Sequence, residues 1–431
     1  MTHCEPVWAS IFRRNIGTFY SASVTKQLAW FSWIIKKQRD RDMDELRKYH
    51  FGSMYGLKFG LILGGQPPKA RATDIVEQGI QAEKDGYDYA WICDHLLDIG
   101  PPEEPWNPDP WATFGYLAAE TRRIRFCTSV TDYQKTHPGK LTQILATLDE
   151  LSRGRITLGI STGEAMNNVP FGVPWEKASL RVEQLGEYIE VIRLLWTVRN
   201  TSPASFQGKH YSLQDAWVDI TRAAQQPHLP IYIGAFASPR LLELIGRVGD
   251  GWFPVFITPE LYQEKLKIIH AAAKKAGRQP DTVEATHYVT PVVSRDSKTI
   301  EEATRNLKIS IASICPFLCR AEGIKLPSSA HQLNYQKMTS SEIISKDAME
   351  DLSRMAEYIP DSLVSKVAPI GDADYVISWL EARKRLGAKH MVIGPGFGLP
   401  EENLRALSEQ ILPYFRDQEA DSVHFGGSEY A

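Results

Sequence analysis

Short apolar segments alternate with longer helical repeats from Leu57 onward, and this alternation is the feature that most constrains the fold. The segments lack a strict two-residue alternation, as expected for strands that are buried on both faces of a sheet. Repeated strand–helix units imply parallel strands with right-handed crossovers, and eight units most simply close into a (β/α)8 TIM barrel. The eight predicted strands are 57–63, 89–93, 124–130, 156–160, 230–234, 251–256, 287–293 and 390–394.

Apolar stripes with helical spacing predict the helices between these strands. We interpret the stripes as faces that pack on the sheet, and we assign them no chemistry. They comprise Leu141, Ile144, Leu145, Leu148 and Leu151; Val182, Leu185, Ile189, Ile192 and Trp196; and Leu404, Leu407, Ile411 and Phe415.

The predicted barrel occupies residues 55–418 and contains two insertions, and residues 419–431 form a C-terminal tail. Residues 200–228 are expected to form an excursion with short strands. Residues 296–366 are helical, polar and too long for one strand–helix unit. Added segments in barrels most often decorate the C-terminal face, where substrates bind. The second insertion is therefore a candidate lid or specificity region, and a dimer contact is its competing use.

Residues 1–54 differ from the rest of the chain. Their apolar run, Leu28–Ile35, is much shorter than the ~20 residues that cross a bilayer. A small-residue cleavage site does not follow it. We interpret this segment as a disordered extension or as sequence translated from upstream of the true start, with an amphipathic surface helix as the alternative.

Charge and cysteine usage exclude several classes of function. The net charge of −3 is spread along the chain, without the concentrated basic face of nucleic-acid or membrane binders. The five cysteines are too few and too irregular for a disulfide framework, and we interpret Cys315 and Cys319 as buried thiols rather than a metal site. We therefore expect a cytoplasmic homodimer that acts on a small molecule, without a metal, a nucleic-acid partner or a membrane span.

The segment 91–98 carries the strongest local signal of chemistry. Asp94 and His95 follow an apolar strand, at the position that faces the mouth of a parallel barrel. Histidine suits proton transfer near neutral pH, and a neighbouring carboxylate can orient it. A histidine that only satisfies a buried carbonyl explains the isolated pair equally well.

Three further strand ends carry small or polar residues. In 156–172, Gly163, Glu164 and Asn167 follow the fourth strand, where an ordinary strand-to-helix turn is the alternative. In 230–240, small residues precede a helix that starts near Pro239, and such helix N-termini bind phosphate. In 128–132, Thr131 and Asp132 are equally well explained as turn formers.

Together, these segments resemble the coenzyme F-420-dependent branch of the bacterial-luciferase-like superfamily, which includes glucose-6-phosphate dehydrogenases and phthiodiolone ketoreductases. The resemblance covers most of 57–258 and, more weakly, 365–396. It is carried by the motifs CDH, TSVTD, LSRGRITLGISTGEAMNN and PIYIGAFASPRLLELIGRVGDGWFP.

The resemblance implies roles for individual residues. His95 is expected near the hydride-transfer centre with Asp94 beside it, and Glu164 occupies the position of the catalytic acid. A non-prolyl cis peptide is expected at Ser129–Val130, and Trp106 corresponds to a tryptophan beside the substrate. The coenzyme-binding residues are expected to be Asp94, Ser129, Val130, Thr131, Gly163, Asn167, Gly234, Ala235 and Phe236.

The predicted function is hydride transfer between F-420, a deazaflavin, and a carbonyl, alcohol or imine carbon. A basic cluster that would hold a sugar phosphate is missing, so glucose 6-phosphate is not the expected substrate. An FMN-dependent monooxygenase of the same superfamily is the alternative enzyme. A non-catalytic flavin-binding barrel is the alternative of another class, and the presence of both His95 and Glu164 argues against it.

Overall fold

The computed structural model describes most of the predicted barrel. The predictions for residues 1–54, for the tail 419–431 and for Trp106 lie outside the described residues. The described residues are 56–64, 71–96, 108–197, 203–218, 225, 227–327, 346–394 and 401–416, without the side chains of 346–349 and 401.

Eight parallel strands close into a barrel, which confirms the predicted fold. Gly60 of the first strand lies opposite Tyr89 of the second strand and Val392 of the last strand, so the sheet has no open edge there. The strands are β1 (Lys58–Ile62), β2 (Tyr89–Ile92), β3 (Arg125–Thr128), β4 (Ile156–Ser161), β5 (Ile231–Gly234), β6 (Gly251–Phe253), β7 (Glu284–Val289) and β8 (His390–Ile393).

One predicted strand is displaced along the sequence. The segment 287–293 was expected as a single strand, but β7 begins at Glu284, and Val292–Val293 forms a separate two-residue strand. The start of β7 carries the polar side chains of Glu284 and Thr286 inside the barrel, which the apolar pattern does not register.

Helices surround the barrel and begin with local capping signals. Asp109 accepts a hydrogen bond from the Ala112 backbone N–H, and Asp372 does the same for Tyr375. The helices are α1 (Ala72–Lys84), α2 (Pro110–Glu120), α3 (Pro138–Ser152), α4 (Ala178–Thr197), α5 (Pro239–Val248), α6 (Pro259–Lys275), α7 (Ser297–Ile314), α8 (Pro316–Ala321), α9 (Lys346–Ala356), α10 (Asp361–Val367), α11 (Ala373–Arg385) and α12 (Glu401–Ala406).

The predicted stripes face the core, with one exception. In α3, Leu141, Leu145 and Leu148 are buried, but Leu151 is 58% exposed. Its position in the 3.6-residue period lies at the outer edge of the stripe, so the prediction was wrong for Leu151.

The two insertions differ in secondary structure. Ala204–Gln207 and Ser212–Ala216 form an antiparallel hairpin. Helices α7 to α10 form the second insertion, which packs on the loops after β5 and β6 at the C-terminal face. The rings of Phe317 and Phe236 lie 5.9 Å apart, and the Cys315 thiol donates to the Val255 carbonyl.

Among the described residues, no helix has the length and apolar character needed to cross a membrane.

Candidate active site at the barrel mouth

His95 and Glu164 meet at the C-terminal ends of β2 and β4, the two strands that flank β3. His95 follows β2 after Cys93 and Asp94, and Glu164 follows β4 just before the short helix Ala165–Asn168. His95 Nδ1 lies 3.3 Å from Glu164 Oε2, and the two side chains are 19% and 24% exposed. The structure therefore brings together the two residues that the sequence predicts as catalytic.

Asn167 fixes the orientation and the tautomer of His95. The Leu96 backbone N–H donates to Asn167 Oδ1 at 3.0 Å, and this leaves Asn167 Nδ2 3.2 Å from His95 Nδ1. An amide nitrogen donates and does not accept, so Nδ1 is the acceptor. The proton of the neutral imidazole is therefore on Nε2.

The protonation states of the pair are the reverse of those in an ordinary ion pair. Burial, followed by the Lys135 ammonium, lowers the pKa of His95 to about 4, although Asp94 acts in the opposite direction. Burial, followed by the Asp132 carboxylate, raises the pKa of Glu164 to about 8, against the charge of Lys135. At neutral pH, His95 is uncharged and Glu164 retains its proton.

Asp94 is engaged by residues of the segment after β3. Thr131 Oγ1 donates to Asp94 Oδ2, and the Lys135 ammonium lies 3.2 Å from Asp94 Oδ1. Lys135 also donates to the main-chain carbonyl of Asp94. Asp94 is thus a buried carboxylate with a partner on each oxygen.

Thr131 and Asp132 are not turn formers, and that alternative was wrong. They form a short strand that pairs with Ile160 and Ser161 of β4. Asp132 is buried, and its Oδ2 accepts from the Glu164 backbone N–H at 3.2 Å. Asp132 therefore holds the backbone of Glu164 in place.

Gly163 is required by the backbone between β4 and Glu164. Its φ of +81° lies in the left-handed region, and a Cβ at this position would lie 2.7 Å from Gln134 Oε1 and 3.1 Å from Asp132 Cγ. A larger residue would displace Glu164 and the side chains beneath it.

The segment Ser129–Val130 has the cis peptide bond that the resemblance implies. Ser129 Oγ lies 3.4 Å from the Cys93 thiol, and the Val130 methyl groups pack against Gly234 at the end of β5. The half-exposed residues Ser129 and Val130 therefore link three strand ends across the mouth.

The loop after β5 has fewer free backbone N–H groups for a phosphate than the resemblance implies. The Ala235 N–H donates to the Phe253 carbonyl at 3.1 Å, so this donor is already engaged in the sheet. The Gly234 carbonyl accepts from Ser161 Oγ at 2.7 Å. Phe236 points to the insertion, where its ring contacts Phe317.

Sequence reasoning missed Lys135 and Asn168, and it assigned Asp132 no role. Asn168 Nδ2 donates to Asp132 Oδ2 at 3.0 Å. Asp132 is the last residue of the motif TSVTD and Lys135 follows it three residues later, so a polar run after a strand end was the available signal.

A planar coenzyme fits the chemistry of this mouth. Glu164 Oε2 is buried without a hydrogen-bond partner among the described residues, as expected of a polar group that meets a bound ligand. Gly234, at the end of β5, and the apolar side chain of Val130 form a surface against which a planar ring can pack.

Comparisons with known sequences place the chain among flavin-type barrels. The family described as luciferase-like monooxygenase matches residues 53–390. An F-420-dependent glucose-6-phosphate dehydrogenase of Microbacterium testaceum is 31% identical over 356 residues, which are 80% of this chain and 94% of that protein. A phthiodiolone/phenolphthiodiolone dimycocerosates ketoreductase of Mycobacterium bovis is 28% identical, covering 84% and 97% of the two chains.

A solved structure shows the same fold. The coenzyme F-420-dependent tetrahydromethanopterin reductase from Methanopyrus kandleri aligns with a TM-score of 0.69 at 24% identity. The alignment covers 84% of this chain and 100% of the reductase chain.

Proposed function

The chain belongs to the luciferase-like monooxygenase family, and we propose that within this family it is an oxidoreductase that uses coenzyme F-420. It transfers a hydride between F-420 and a carbonyl, alcohol or imine carbon, without oxygen. Two sequence relatives that cover most of the chain are named for F-420-dependent or ketoreductase activity, which supports this choice within the family.

One observation carries the proposal: Glu164 Oε2 lies 3.3 Å from Nδ1 of His95, a histidine whose tautomer is fixed by Asn167. When bound, F-420 supplies or accepts the hydride. The substrate oxygen must gain a proton as its carbon is reduced, and lose that proton in the reverse direction. Glu164, with a pKa of about 8, can hold or release this proton close to neutral pH.

His95 has a complementary role. Its Nδ1 accepts from Asn167, so Nε2–H is the donor that remains for a substrate oxygen. A neutral imidazole N–H stabilises a developing negative charge on that oxygen without itself giving up a proton. The low pKa of His95 keeps the imidazole in this form across the neutral range.

The coenzyme is held, in this proposal, by the residues around the same mouth. Ser129, Val130 and Gly234 provide the surface for the ring. Because the Ala235 N–H is engaged, the phosphate tail is placed further along the chain, near the start of α5.

The substrate is proposed to be uncharged. Residues 234–238, 253–258 and 289–293, which end β5, β6 and β7, contain no ionisable side chain. Lys135, the ammonium group next to the catalytic pair, is already paired with Asp94. A sugar phosphate would need cations that these loops lack, so neutral alcohols and ketones are favoured over glucose 6-phosphate.

Side-by-side titration with F-420 and FMN in the absence of oxygen tests the coenzyme. We expect F-420 to bind at least tenfold more tightly, a difference of roughly 1.4 kcal/mol. Bound F-420 should then be reduced by neutral alcohols and not by glucose 6-phosphate. Tighter FMN binding with oxygen-dependent turnover would identify a monooxygenase, and coenzyme binding without any turnover would identify a non-catalytic barrel.

A further inference from the structure

Lys135 lies directly behind the His95–Glu164 pair. It ends the short 3-10 turn Tyr133–Lys135 that follows Asp132. Its side chain is only 11% exposed, and so is that of its partner Asp94. A lysine with so little contact with solvent needs a compensating interaction, because burial of an unpaired charge is strongly unfavourable.

Among the described residues, this ammonium group makes its hydrogen bond and its ion pair with Asp94. Nζ lies 3.2 Å from Asp94 Oδ1, and it also donates to the Asp94 main-chain carbonyl. Thr131 holds the other carboxylate oxygen of Asp94. The side chain and the main chain of Asp94 are therefore both fixed, and His95 is the next residue.

We propose that Lys135 is a positioning residue of the active site: by holding the carboxylate and the main-chain carbonyl of Asp94, it fixes the imidazole of His95 against Glu164. The contact is long-range in sequence, since 41 positions separate Lys135 from Asp94. It joins the segment after β3 to the end of β2, and so sets the spacing of the mouth.

The charges around Lys135 support this role. Three carboxyl groups, those of Asp94, Asp132 and Glu164, surround it. The positive charge of Lys135 acts to lower the pKa of each of three groups, His95, Asp132 and Glu164. A second cation, Arg181, lies beyond Asp132 with its guanidinium 3.7 Å from the Trp175 ring. Loss of the Lys135 charge should therefore raise the pKa of His95 and of Glu164.

NMR titration of the full-length, coenzyme-free protein tests the inference without reference to activity. The His95 signal is assigned by its loss in His95→Gln. We expect Lys135→Met to raise the His95 titration midpoint. The matched control Lys140→Met removes a charge from an exposed side chain of α3 and should leave the midpoint unchanged. An unchanged midpoint in Lys135→Met would overturn the inference.

The kinetic test rests on the proposed function. With F-420 and a substrate, Lys135→Met should lower kcat on the order of 10- to 100-fold and leave KM nearly unchanged, because a misplaced catalytic group slows chemistry more than binding. Lys135→Arg should recover part of the rate, since a guanidinium can hold the same carboxylate. If Lys135→Met does not fold, Lys135→Gln, which also removes the charge, carries both measurements.

The two failures are distinguishable. A parent protein that does not use F-420 would contradict the proposed function, while the titration would still decide the role of Lys135. Equal losses of folding stability and rate, with a parent-like His95 midpoint, would show that Lys135 only supports the fold.

Discussion

The two ends of the barrel hold clusters built from the same kinds of side chain, a lysine, a glutamate and a histidine, but the pKa of the glutamate is shifted in opposite directions at the two ends. At the floor, Lys58, Glu284 and His390 are the first residues of β1, β7 and β8. At the mouth, His95, Glu164 and Lys135 follow the C-terminal ends of the strands. The comparison separates a cluster that supports the fold from one that supports chemistry.

The floor cluster pairs its glutamate directly with a lysine. Lys58 Nζ donates to Glu284 Oε2 at 2.5 Å, and His390 Nδ1 lies 3.3 Å from Glu284 Oε1. Burial acts to raise the pKa of Glu284, but His390 and Lys58 outweigh it and hold the pKa at about 2. Glu284 is therefore ionised throughout the physiological range.

The mouth differs because its cation is placed elsewhere. Lys135 forms its ion pair with Asp94, so Glu164 has no cation within hydrogen-bond distance among the described residues. The negative charge of Asp132 opposes the ionisation of Glu164. The partner of a buried carboxyl, rather than its burial alone, decides whether it is a structural anion or an acid.

The largest effect is expected at Glu164. Glu164→Gln keeps the size of the side chain but removes the exchangeable proton, so kcat should fall ~10²- to 10⁴-fold with coenzyme affinity nearly unchanged. The matched floor variant Glu284→Gln should keep its rate per folded molecule. Parallel loss of coenzyme binding and rate in Glu164→Gln would instead indicate a contact with the coenzyme.

The histidines at the two ends should separate rate from stability. His95→Ala should lower turnover by at least ~10²-fold and melt close to the parent, because the side chain lies at the mouth. His390 has no exposed surface, so His390→Ala should cost ~1–3 kcal/mol of folding free energy and leave turnover per folded molecule near normal. Thermal melting and turnover on the same preparations check both. A large loss of stability with near-normal turnover per folded molecule in His95→Ala would show that His95 has a structural role.

A smaller effect is expected on folding stability, whose dependence on pH should have opposite signs for Glu164 and Glu284. The pKa of Glu284 is depressed to about 2, so its stabilisation is present above its unfolded pKa of 4.5 and is lost as pH falls towards 2. The pKa of Glu164 is raised to about 8, so the folded state binds the extra proton and stability falls as pH rises from 4.5 to 8. Each contribution is at most about 1.4 kcal/mol per pH unit.

Denaturant unfolding across this pH range, with the two Gln variants, measures these slopes. Glu284→Gln should flatten the acid side of the stability profile, and Glu164→Gln should flatten the neutral and alkaline side. If both variants flattened the same side of the stability profile, the glutamates at the floor and at the mouth would not differ in protonation state.

The barrel was predictable because its signal is local. Each strand is a short apolar segment, and the predicted bounds were displaced most at β7, which begins with the polar residue Glu284. The prediction that Leu151 faces the core was wrong because a stripe of five leucine and isoleucine residues does not show which of them lies at the solvent-exposed edge of the helix.

The sequence motifs also singled out His95 and Glu164, which the structure brings together, but the electrostatics around them could not be predicted. Asp94, His95 and Glu164 occur in recognisable motifs at strand ends. The pKa of Glu164 depends on Asp132 and Lys135, which approach it only after β3 and β4 pair. No spacing in the sequence indicates that Lys135 will pair with Asp94 rather than with Glu164.

The protonation state of Glu164 tests the central claim most directly. Infrared difference spectroscopy of the coenzyme-free protein, with Glu164→Gln as the reference, isolates the carbonyl stretch of this one carboxyl group. The band of a protonated carboxyl should be present at pH 7 and should disappear with a midpoint near pH 8. A carboxylate signal at pH 7 would contradict the account, because Glu164 would then be an anion like Glu284 at the floor.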